Sequence, residues 1–169
     1  MFANTFTTIH SLLSLAALLT GAFAVAALFG ARLPQLLTTL FLATAFGTSA
    51  TGFGFPFNGV LPSHVVGAIA LLILAVTLYA RFSAHLAGAW RWLYSAGLVA
   101  SLYLLVFVAV AQAFAKIPAL KAAAPTQSEP PFAIAQLVVL VIFVVLGLAA
   151  AKAYRPGPAP LIKGELVGS

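Results

Sequence analysis

The chain has no cysteine and no aspartate, and its only acidic residues are Glu129 and Glu165. Without cysteine there are no disulfides, no thiolate nucleophile, no Cys-ligated zinc and no iron–sulfur cluster. With two carboxylates far apart in sequence, a paired-carboxylate site has little to draw on. Charge of any sign is scarce, at 6% of residues, where about a quarter is usual for a soluble domain. Walker, Rossmann and H-E-x-x-H patterns are missing, and no C-x-x-C-H is present for covalent haem. The middles of the apolar runs hold no Asp, Glu, Lys, Arg or His, the groups that proton pumps and ion-coupled transporters place at depth.

What is present is apolar length. Hydrophobic residues make up 63% of the 169 positions, and mean hydropathy is +1.15. So few charges cannot cover a soluble fold, so the bilayer must be the solvent for most of the surface. The net charge of +6 comes from basic residues in short loops, where topology and anionic headgroups account for them. No basic patch is interleaved with exposed aromatics, so nucleic acid is not expected as a partner. The expected partners are the bilayer itself and a membrane protein or a second copy of the chain.

Five apolar segments predict an all-α polytopic bundle, with spans near Ile9–Gly30, Leu36–Phe53, Ser63–Tyr79, Leu93–Phe114 and Phe132–Ala151. The first lacks the positive n-region and short core of a signal peptide, so it is read as retained. Gly21 with Ala17 and Val25 gives it a smooth stripe for close contact. The second carries Thr38, Thr39, Thr44, Thr48, Ser49 and Thr51, with Ala43, Gly47 and Thr51 at four-residue spacing. Its hydroxyls can back-bond to their own helix at little cost in lipid. This helix is expected at the centre of the packing. Residues 1–152 form one transmembrane domain in this reading, and 153–169 a flexible Pro/Gly-containing cytoplasmic tail.

With five spans, Arg32, Arg81, Arg91, Lys152, Arg155 and Lys163 share one side, and Lys116 and Lys121 the other. The positive-inside rule then puts the N-terminus outside and the C-terminus in the cytoplasm. The alternative makes the second segment re-entrant, leaves four spans, and divides the same charges five against three. Trp90, Trp92 and Tyr94 beside Arg91 form an interfacial aromatic belt.

The candidate site lies at the outer ends. His10 and His64 each begin an apolar helix on the same side, so two imidazoles could ligate a b-type haem iron. Phe53, Phe55 and Phe57 would give that haem, or a quinone ring, an apolar wall. The plainer reading is that these histidines cap helices or bond to loops and headgroups. Glu129, in APTQSEPPF with Gln127, could join them in a polar outer cluster, or could simply open the last helix ahead of Pro130. Gln112 and Gln136, the amides inside spans, are expected as hydrogen-bonding glue between the last two spans. No metal site and no catalytic residue is expected.

Three strings, TSATGFGFPF at 48–57, HLAGAWRW at 85–92 and APTQSEPPFAIAQLVVLVIFVVLG at 124–147, resemble a group of small bacterial multi-span membrane proteins generally left uncharacterised. The resemblance covers spans two to five. It implies a bacterial inner-membrane location and brings no activity. The leading expectation is a non-enzymatic accessory or binding subunit. A haem or quinone redox module on His10 and His64 is one alternative, and a small permease for neutral or apolar solutes is another.

Overall fold

A computed structural model describes residues 2–30, 34–54 and 62–154, and of residues 2–4, 62 and 63 the backbone alone. Every regular element among them is helical: α1 (Phe2–Ala27), α2 (Gln35–Gly52), α3 (Pro62–Phe82), α4 (Trp90–Lys116), the short α5 (Pro118–Ala123) and α6 (Pro130–Ala153). Four of these, α1, α3, α4 and α6, are long and apolar enough to cross a membrane. The all-helical expectation therefore holds. The count of five does not follow in full, because the Thr, Ser and Gly content of α2 keeps it out of that group. At 18 residues α2 is nonetheless one unbroken helix, about 27 Å long at 1.5 Å per residue.

The helix ends follow local chemistry. Pro34 stands at the N-cap of α2 with φ −62° and extended ψ. Pro118 and Pro130 open α5 and α6, where a missing N–H costs nothing. Because α3 begins at Pro62, Ser63 lies within its first turn rather than at its cap. Between Lys116 and α6 the chain forms the short α5, which Pro118 starts and Pro125 follows.

α1 and α2 form an antiparallel pair. α3 packs on α2 and on α4, and α4 returns to α1, which closes a ring of four helices. α5 and α6 lie against α4 from outside the ring. The packing centre is thus α4, which touches α1, α3, α5 and α6, and not α2 as expected. Composition misleads here: α2 has the small residues, but α4 has the length and central place. The buried face of α2 also differs, being Thr38, Phe41, Leu42, Ala45 and Thr48. Of the expected stripe, Gly47 and Thr51 turn toward α1, while Ala43 is exposed.

The ring interior is filled by Ala17, Ala24, Leu28, Phe41, Leu74, Leu98 and Leu102. Two glycines set how close its helices come. A Cβ on Gly21 would stand 2.6 Å from the Phe41 ring and 2.9 Å from Leu102, so α1, α2 and α4 meet there. A Cβ on Gly97 of α4 would overlap the Thr77 hydroxyl of α3. In lipid there is little hydrophobic drive between helices, so such contacts carry the association.

Replacing Gly21 by Leu, or Gly97 by Val, should lower stability in detergent by about 1–3 kcal/mol, the usual cost of overpacking. Gly47→Ala is the control, since its added carbon meets Leu13 at an ordinary 3.5 Å. Thermal unfolding followed by helical circular dichroism separates them; equal midpoints for all three variants would remove the glycines from this role.

Candidate functional site

At the histidine end, His10 of α1 and the last turn of α2 come together. His10 Nδ1 lies 2.8 Å from the Thr51 hydroxyl, which also donates to the Gly47 carbonyl at 2.7 Å. The next ring along, Phe53, stacks on His64 of α3 at 5.7 Å and 25°. His64 is buried, and Phe53 also rests on Gly67, one turn further along α3. The C-terminal end of α2 therefore lies between the two imidazoles, with Thr51 on one and Phe53 on the other. Phe55 and Phe57 fall outside the described residues.

The arrangement leaves a mixed fit for a haem. Both imidazoles reach the same end, as two axial ligands require. The Phe53 ring, expected to line a cofactor, is instead packed on His64 itself. Among the described residues no group of three His, Asp or Glu side chains is placed to hold a metal ion.

The amides and Glu129 divide differently from the expected cluster. Gln136 Nε2 donates to the Phe107 carbonyl of α4 at 3.1 Å, so it does join α6 to α4. Its partner in this role is Gln127, whose Nε2 donates to the Ala111 carbonyl one turn away at 2.9 Å. Gln127 reaches it from a left-handed backbone, φ 60°, a conformation that sequence spacing does not reveal. Gln112 is exposed and is not the second tie. Glu129 is the N-cap residue of α6 ahead of Pro130. Its carboxylate accepts from the Thr126 hydroxyl at 2.8 Å and from the Thr126 and Ser128 amides at 3.1 Å. Desolvation pushes its carboxyl up, but these bonds outweigh that and hold it below the usual glutamate value.

The opposite end holds a polar group that sequence reading missed. Arg81, at the end of α3, donates to the Tyr94 hydroxyl of α4 at 2.8 Å. Tyr94 is buried, lies beside Thr38 of α2, and packs its ring on Tyr154 at 5.8 Å. Three helices and the end of α6 are thus tied at one corner by a cation and two phenols. Tyr94, expected in the interfacial aromatic belt, instead turns inward one helical turn after Trp90. Burial is the main cause that pushes the Tyr154 phenol up to about 12, with Tyr94 adding and Arg81 opposing.

No family model matches the chain, and neither the curated proteins nor the solved structures give a match.

The Tyr154 phenol gives a testable pH dependence. Below about pH 10, its ordinary value, it is neutral folded or unfolded. Above that, the unfolded chain releases the proton while the fold retains it until about 12. Stability should therefore be level through neutral pH and fall as pH rises across this window. Tyr154→Phe should reduce the fall and remove the latest step in the phenolate absorbance titration; a titration unchanged by the substitution would count against this placement.

Proposed function

We propose that this chain is a non-enzymatic membrane protein acting through its helix surfaces, as an accessory or binding subunit in a bacterial inner membrane. One observation carries the reading. α6 lies against α4 outside the ring, and nine of its large apolar side chains, from Ile134 to Leu148, are exposed. Only Gln136 and Ala150 of this helix are buried. Such a helix costs α4 little to hold and offers a long apolar face to a partner helix or a second copy. Within the ring, by contrast, the central positions hold packed side chains, which gives a neutral-solute path no support.

We read five spans, N-terminus outside and C-terminus inside. The continuity of α2, nearly matching a hydrocarbon core of about 30 Å, favours a full crossing over a re-entrant turn. The sharper charge asymmetry points the same way.

The absence of cysteine makes a clean test. Val145→Cys on α6 should give an oxidative cross-link in native membranes, to itself or to one partner of defined mass. Leu72→Cys, equally exposed but on α3, should not. No adduct at Val145, or the same adducts at both, would sink the α6 surface. In the same background an impermeant maleimide should label Gln127→Cys in intact cells and His85→Cys only after lysis; the reverse would invert the orientation.

A second reading, a b-type haem or quinone module, draws on His10 and His64 lying at the same end of the bundle, on either side of the end of α2. Its test is an absorption spectrum of the purified protein, oxidised and dithionite-reduced, with iron analysis. Reduced haem bands lost in His64→Ala would establish it, and a featureless, iron-free sample would dismiss the haem.

A further inference from the structure

Two cavities lie along the same helix. The first, an open depression of about 490 Å³ at the basic end, is lined by Leu86, Gly88 and Ala89 of the loop between α3 and α4 and by Arg91 and Trp92 of α4. The second, about 150 Å³, is a lateral groove between α4 and α6, with Ala96, Ala100 and Tyr103 facing Phe143, Val144 and Gly147. Trp92 of the first and Ala96 of the second are four residues apart on α4, about 6 Å along the axis and on one face. One cavity is walled by a cation and an indole, the other by apolar side chains.

We infer that this pair forms one binding site for an anionic phospholipid of the surrounding bilayer. The phosphate lies at Arg91 and one acyl chain runs into the α4–α6 groove. Charge supports this occupant. Among the described residues the basic end carries Arg81, Arg91 and Lys152, while the one carboxylate, Glu129, belongs to the opposite end. Arg81 is engaged with Tyr94. Arg91 instead lines the cavity, its guanidinium carbon 5.6 Å from the centre of the Trp92 ring. Trp92 is 54% exposed, as an indole at the headgroup level would be.

The groove supplies the second half. Gly147 keeps its floor open, with the nearest atom to an added Cβ being Val99 at 3.7 Å. The two glutamine ties to α4, from Gln136 and from Gln127 just ahead of α6, lie beyond its far end, and within the groove the Tyr103 and Phe143 rings meet at 5.7 Å. The loop over the headgroup cavity is also fixed in shape. His85, Leu86 and Gly88 all adopt positive φ, 49°, 58° and 54°. Two of them are not glycine, so the backbone is strained. The packing of Leu86 against the core holds it in place. The site rests on the membrane-embedded reading and not on a protein partner, so a failed α6 cross-link leaves it standing.

The two tryptophans report on the site. Trp90→Phe leaves Trp92 as the sole tryptophan, excited selectively over the tyrosines, with helical circular dichroism checking the fold. In phosphatidylcholine vesicles, brominated phosphatidylglycerol should quench Trp92 with an apparent association about fivefold above that of brominated phosphatidylcholine, the usual worth of one basic side chain near a bilayer surface. Arg91→Gln should bring the ratio close to one, and Gly147→Leu should weaken quenching by both lipids. Equal quenching by both lipids with Arg91 intact, or a preference that survives Arg91→Gln, would overturn the site. So would loss of the preference on adding millimolar inorganic phosphate, which would assign Arg91 to a soluble anion. Unchanged quenching in Gly147→Leu would remove the acyl chain from the groove. No quenching by either lipid would overturn the bilayer reading itself.

Discussion

Close backbone approach at two glycines is the constraint on which the rest depends. At Gly21 the α1 backbone meets Phe41 and Leu102 from two other helices, and at Gly97 the α4 backbone meets Thr77 of α3. Lipid tails solvate apolar side chains as well as a neighbouring helix does, so burial alone gives these helices little reason to associate. What remains is van der Waals contact, which falls steeply with a gap of even half an ångström. The two glycines remove the atoms that would open such a gap. The α1–α2 pair, the α3–α4 pair and the closure between them all follow from that.

Polar atoms obey the same solvent from the other side. An unsatisfied polar group in hydrocarbon costs several kcal/mol, so hydroxyls must find acceptors within the protein. Thr20, Thr38, Thr44, Thr51 and Thr77 all donate to a carbonyl one turn back in their own helix. The exceptions stand out: the oxygens of Thr48, Ser101 and Gln136 Oε1 are buried with no hydrogen-bond partner among the described residues. Polarity that is not consumed in this way collects at the two ends. One end pairs His10 with Thr51 and His64 with Phe53; the other ties Arg81 to Tyr94 beside Tyr154. Between the two ends the described ring interior is filled mainly by apolar side chains.

The legibility of this arrangement in sequence was uneven. Apolar length and scarce charge were enough for helices, because composition alone decides whether a segment can live in lipid. Gly21 and its stripe could be read, since small residues at helical spacing have one common use. The shared end of His10 and His64 followed from counting segments. The choice of α2 as the centre failed, because small-residue content shows that a helix can pack closely, not how many neighbours it has. Gln112 was expected as glue because it lies inside a span, whereas the loop backbone, bent to φ 60° at Gln127, carries the second amide to α4. Tyr94 was placed at the interface by its neighbours Trp90 and Trp92, although its own position in the helix turned it inward to Arg81.

The sequence by itself determined the solvent of this protein, its all-helical class and the loops where its charge lies, because transfer free energy is a property of each segment taken alone. Only the tertiary structure decided the ring closed by α4, the outlying place of α6, the Arg81–Tyr94 corner and the groove between α4 and α6 at Gly147. These depend on which faces meet. Sequence periodicity gives each helix a face but not a neighbour, and the choice of neighbour is made by contacts between residues dozens of positions apart.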